Sequence, residues 1–112
     1  MTKHERGDIV LVDFGFSEGI GSKKRPVLII STESYHRNRE EVIVAAITHN
    51  IKRVLFGDTK IDDWKKAGLI YPSLVTGIVR TIKEDMIIRK LGILPQSNLE
   101  KVQENIRKAI GV

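Results

Sequence analysis

The chain contains no cysteine, which excludes disulfides, thiol chemistry and cysteine-based zinc sites. Aromatic residues make up only 5%, too few for the stacking platform of a typical single-strand binder. No apolar run could span a bilayer, and the start, Met1-Thr2-Lys3-His4-Glu5-Arg6, carries no apolar h-region. The chain is therefore expected to be soluble, unexported and cytoplasmic. Internal repeats and low-complexity linkers are absent too. The 112 residues are read as one domain, 1–112, large enough to bury a core without staples. Acidic residues are outnumbered by Lys and Arg, 14 against 19, for a net charge of +5. That balance favours an anionic partner, either nucleic acid or an acidic protein segment.

The stretch around which the rest is arranged is Lys23-Lys24-Arg25-Pro26-Val27-Leu28-Ile29-Ile30-Ser31. It sets three cations against a run of large aliphatic residues, the pattern of a strand buried on both faces. Pro26 lacks an N–H and is expected at the strand's start, where it biases Arg25 toward an extended backbone. Arg25 would then project from the mouth of a rigid strand, suitably aimed at an anion. On these residues alone the stretch reads equally as an ordinary basic turn.

Upstream, Asp8-Ile9-Val10-Leu11-Val12-Asp13-Phe14 reads as a central strand, and the glycine-rich Gly15–Ser22 as a mobile hairpin loop. Arg6-Gly7-Asp8 spells an adhesion tripeptide, read here as coincidence. Thr32–Glu40 reads as a polar connection and Val42–Ile47 as a third apolar strand ending at Thr48-His49-Asn50. Val54–Phe56 and Thr59–Ile61 read as short edge strands, and Asp62–Gly68 as a short helix. Ser73–Ile82 is a further strand in which Gly77 marks a bulge or close backbone approach. Ile87–Gly92 is the last. Ser97-Asn98-Leu99-Glu100 has the form of a capping box opening an amphipathic helix to Ile110, with Gly111 as its stop. Short strands followed by one terminal helix predict a small β-barrel with a helix packed on it.

Five segments in register resemble the MazF/PemK toxins of bacterial toxin–antitoxin systems. They are Gly7–Phe14, Lys24-Arg25-Pro26-Val27-Leu28, Ala46-Ile47-Thr48, Pro72-Ser73 and Arg80-Thr81-Ile82. The resemblance covers nearly the whole chain. It implies an SH3-like barrel, a homodimer, cleavage of single-stranded RNA at short motifs, and a cognate antitoxin whose acidic, disordered tail covers the RNA groove. It also implies that Arg25 and Thr48 face one another as the catalytic pair, Arg25 clamping the phosphate and Thr48 donating a hydrogen bond to it.

That chemistry suits the residues. RNA is cut without a metal or other cofactor when its own 2′-OH attacks the adjacent phosphate, so none is expected here. A planar guanidinium matches a phosphate bidentately and stabilises its extra charge. Lys23, Lys24, Lys52 and Arg53 would line the phosphate path, with solvated surface charge as the alternative for each. His49 would lie near bound RNA, and Arg80 would be structural or contact RNA. His36 and His49 together could mimic a two-histidine ribonuclease, a reading ranked lower because neither falls on a family position. Thr48 could instead bond its own backbone. Many family members carry a carboxylate and a glutamine shortly before the equivalent of Arg80, where this chain has Gly77, Ile78 and Val79. The proton acceptor is therefore left open. Trp64 is read as a packing anchor in preference to a base-stacking residue, and Asp58, Asp62 and Asp63 as capping and surface groups, with no metal site.

Two rivals share the fold. Gyrase poisons of the CcdB type act through a surface patch and an aromatic residue near the C-terminus, whereas this chain ends Ile110-Gly111-Val112. A non-catalytic barrel binding RNA or protein would keep the basic groove without depending on Arg25 or Thr48.

Overall fold

Residues 4–15 and 23–112 are described by the computed structural model; the expected Gly15–Ser22 loop, past Gly15, lies outside them. The three apolar runs become adjacent strands of one antiparallel sheet: β1 (Asp8–Asp13), β2 (Lys24–Ile29) and β3 (Glu41–Thr48). A helix, α1 (Glu33–Asn38), links β2 to β3. There follow β4 (Thr59–Ile61), β5 (Ser73–Lys83), a 3-10 turn over Glu84–Met86, β6 (Ile87–Ile93) and the terminal α2 (Gln96–Ile110). The six strands lie in the order β4-β5-β3-β2-β1-β6.

Both faces of the central strands are buried, which is why their apolar residues run on without alternating. On one face Ile9, Leu28, Ala45 and Ile47 pack with Leu99, Val102 and Ile106, the predicted stripe of α2. On the other face Val10, Val12, Val27, Ile29, Val42 and Val44 form a second cluster, joined by Ile82 and flanked by Phe14, Met86 and Ile87. Burying each such side chain is worth about 1.5–3 kcal/mol, so register is strongly specified.

The expected barrel is only partly realised as a hydrogen-bonded ring, because no ladder joins β4 to β6 among the described residues. The sheet instead curls until the turn after β4 meets β6 backbone to backbone. A Cβ at Gly68 would stand 2.1 Å from the Leu91 carbonyl oxygen, and one at Gly92 would stand 2.2 Å from that of Ala67. Asp62–Gly68 accordingly forms turns and not the predicted helix, with Ala67 N–H on the Asp63 carbonyl at 3.0 Å and Gly68 at φ 85°. Trp64 packs against the first core cluster, as an anchor should.

Gly77 does sit at a close approach, its would-be Cβ 3.4 Å from the Gly57 Cα, beside a register shift between β3 and β5. The irregularity is made good by side chains. The Thr76 hydroxyl donates to the Ala46 carbonyl at 2.8 Å and accepts from Ile78 N–H, while Asp58 accepts from Gly77 N–H at 2.9 Å and from Leu55 N–H at 2.9 Å. These bonds hold Val54–Phe56 as a loop and not the expected strand. Asp58 is thus a structural brace.

Three further expectations change. Pro26 lies two residues inside β2, tolerated because pairing with β3 begins only at Val27. The capping box does not form: α2 begins at Gln96 with Pro95 at its N-cap and no side-chain cap, the φ of −55° at Pro95 already suiting entry into the helix. Gly111 ends it in the left-handed conformation as expected. Thr32–Glu40, read as a polar connection, contains α1, capped by Thr32 on Tyr35 N–H. The Arg6-Gly7-Asp8 tripeptide is not presented: Asp8 is buried, bonded to Glu5 N–H and paired with Lys90. Gly92→Ala is expected to cost about 3 kcal/mol or more, since backbone and not a flexible side chain must move, measurable as a lower urea midpoint.

Candidate functional site

Cross-strand register builds the site. Val27 pairs with Ala46 at the end of the β2–β3 ladder, and Arg25 and Thr48 each lie two residues beyond that pair on their strands, at the open end of the sheet. Arg25 is exposed and Thr48 half-buried. Both line a cleft of about 370 Å³ with Lys24, His49, Tyr71 and Arg89, over a floor that includes Leu11, Ile47 and Leu91. Its far wall is Gly68–Tyr71, the chain held against β6 by the glycine contact. Arg25 also lines an adjoining hollow of about 250 Å³ with Phe14, Ile78 and Arg80.

The charges suit an anion. Among the described residues Arg25, Lys24, Arg80 and Arg89 form no ion pair with a carboxylate. None of the described residues lining the two hollows is Asp or Glu. Arg80 lies over the Phe14 ring, 4.9 Å from its centroid, which orients the guanidinium without neutralising it. The Thr48 hydroxyl accepts from Asn50 N–H at 3.2 Å; its own proton is left to donate into the cleft. Its local backbone bond and a role toward a ligand are therefore compatible. His49 stands beside Tyr71, ring centroids 5.4 Å apart and tilted by 41°. Arg39, whose pKa is raised first by its hydrogen bond to Glu41 and then by that carboxylate's charge, lines a different hollow.

Of the residues singled out in the sequence, Lys24, Arg25, Thr48 and His49 come together in the cleft, and Arg80 joins Arg25 in the neighbouring hollow. Lys52 and Arg53 are exposed on the following loop and line neither; Lys23 precedes β2, also outside both linings. His36 is corrected outright. It is buried beyond the opposite end of β2, where its Nδ1–H donates to the His4 carbonyl at 3.1 Å and its Nε2 accepts from the Ser31 hydroxyl. Ser31 in turn accepts from Ile43 N–H at 2.9 Å. It is a structural histidine and forms no pair with His49. Tyr71 and Arg89 went unread, because they reach the cleft through tertiary contacts that no local pattern encodes.

The described residues thus form a curved antiparallel sheet with one terminal helix, with Arg25 and Thr48 at the sheet's open end. The family described as PemK-like, MazF-like toxin of type II toxin–antitoxin systems matches residues 5–110, and the chain belongs to it. Among solved structures it is similar to the Mycobacterium tuberculosis toxin MazF-mt6, at 28% identity and a TM-score of 0.76, covering 94% of this chain and 97% of that one. The MazE–MazF structure of Deinococcus radiodurans (form II) shares the fold at 16% identity and a TM-score of 0.83, covering 100% and 99%. So does a mycobacterial endoribonuclease in complex with its cognate antitoxin, at 18% identity and 0.77, covering 97% and 96%. No curated protein matches the chain. Replacing His36 with Leu is expected to lower unfolding free energy by about 1–3 kcal/mol, leaving Ser31 and the His4 carbonyl short of a partner, as read by chemical denaturation.

Proposed function

We propose that this toxin is an endoribonuclease that cuts single-stranded RNA, with Arg25 and Thr48 as its catalytic pair. The observation that carries the reading is the convergence, on one cleft, of a guanidinium and a hydroxyl proton that reach no carboxylate among the described residues. Likeness to a protein named endoribonuclease supports it. The substrate's 2′-oxygen attacks the adjacent phosphorus and loses its proton. The bond from phosphorus to the 5′-oxygen breaks, and that oxygen takes up a proton. The products are a 2′,3′-cyclic phosphate and a 5′-hydroxyl. Arg25 grips the non-bridging oxygens and stabilises the charge gathering there, while Thr48 donates to the same group. With no acidic base among the described lining residues, charge stabilisation is the contribution these residues make.

Lys24, His49 and Arg80 extend the RNA path, with Lys23, Lys52 and Arg53 contributing steering charge from outside the cleft. The chain works in the cytoplasm; among the described residues no helix is long and apolar enough to cross a membrane. It acts as a homodimer and is silenced by a cognate antitoxin with an acidic tail. Exposed Phe56 and Ile78, brought near each other by the Gly57–Gly77 approach, favour a self-association surface. Phe56→Glu is expected to convert the dimer to a monomer by light scattering.

Purified protein incubated with long RNA in excess EDTA is expected to give discrete cuts with 2′,3′-cyclic phosphate ends. Arg25→Ala should lower the rate by about 10²–10³-fold with unchanged melting. Intact RNA, or an undiminished Arg25→Ala rate, would overturn the assignment.

A further inference from the structure

We propose that Tyr71, with His49 against it, forms a base-stacking subsite that fixes one position of the RNA motif beside the scissile phosphate, while Arg89 holds the neighbouring phosphate. The inference rests on the RNA-cleaving reading above and deepens it. Tyr71 is 56% exposed and lines the cleft, so its ring is presented to solvent and is not spent on the core. His49 meets it at a tilt, leaving a ring face for a third planar group. The segment carrying Tyr71 is held to β6 through the Gly68–Gly92 contact, so the ring stands on a fixed wall. Arg89, from β6 itself, lines the same cleft.

The shape and chemistry select a nucleobase. About 370 Å³ is near the lower end of ligand-site volumes and suits one nucleoside beside a phosphate. Bases of single-stranded RNA are splayed onto aromatic faces, and such a stack adds to the affinity that a basic groove gives the backbone. Ring stacking alone tolerates any base. The His49 imidazole edge, lining the cleft, supplies the hydrogen-bonding group that discrimination requires, while the buried Ser73 hydroxyl donates to the Tyr71 carbonyl at 2.8 Å and so steadies the segment that carries the ring.

The test has two arms. In the first, cut sites are mapped on a randomised RNA pool for wild type, Tyr71→Ala, Tyr71→Phe and His49→Ala. Tyr71→Ala should raise KM so that kcat/KM falls roughly 10- to 100-fold, with sequence preference relaxed at a single motif position. Tyr71→Phe should rescue most of that loss, and His49→Ala should relax the same position. In the second arm, short RNAs carrying 2-aminopurine at successive positions, 2′-O-methylated to block cutting, are titrated by fluorescence. Wild type should quench one position, Tyr71→Phe should retain the quenching, and Tyr71→Ala should lose it, with melting temperatures unchanged. Wild-type cleavage with an unaltered motif and quenching in Tyr71→Ala would overturn the subsite alone. Quenching without cleavage would support the subsite while removing the nuclease reading. Neither cleavage nor quenching would overturn both.

Discussion

Two glycines that tolerate no side chain set the shape of this protein. At Gly68 and Gly92 the turn after β4 and the last strand approach so closely that a Cβ on either would lie within 2.2 Å of a carbonyl oxygen opposite. The contact does the work that a β4–β6 ladder does in a closed barrel, without its hydrogen bonds. Because Gly68 opens the segment Gly68–Tyr71, the same contact raises one wall of the cleft opposite Arg25 and Thr48. Closure of the fold and construction of the site are thus one event.

The site inherits its stiffness from the central strands. Val12 pairs with Arg25, and Val27 and Ala46 pair two residues further in, all within a sheet whose two faces are both occupied. A cation at the end of such a strand has little backbone freedom to lose on meeting a phosphate, so less binding energy goes into ordering it. The charges around it reach no carboxylate partner among the described residues and are kept apart by apolar contacts, Arg80 over Phe14 being the clearest case.

Much of this was legible in the residues alone. Uninterrupted apolar runs announced the central strands, Gly77 its close approach, and the spacing of Leu99, Val102 and Ile106 the buried stripe of α2. The Lys-Arg-Pro and Ile-Thr pieces brought Arg25 and Thr48 forward, and the fold sets both on the lining of one cleft. What escaped was set by distant contacts or by competing local signals. Ser97 and Glu100 spell a capping box, yet Pro95 starts the helix a turn position earlier. Asp62–Gly68 carries helical signals, yet packing of Ala67 and Gly68 on β6 leaves it as turns. His36 looked available for catalysis until its ring proved committed to Ser31 and the His4 carbonyl. Tyr71 lies in a segment without periodicity, and only the curl of the sheet sets it opposite Thr48.

The pairing of β1 with β6 also governs when the molecule becomes dangerous. Asp8 pairs with Ile93, so almost the whole chain must be closed into a loop before that ladder can form. Such closure is slow relative to local structure and yields few contacts until it is complete. Arg25 and Thr48 both belong to the first half of the chain, but Arg89, Leu91 and the wall resting on Gly92 do not. A chain still being synthesised therefore carries Arg25 and Thr48, the proposed pair, without the cleft they line in the finished fold. The complete cleft exists only once the last strand has docked, so whatever the site does belongs to the finished chain and not to the growing one.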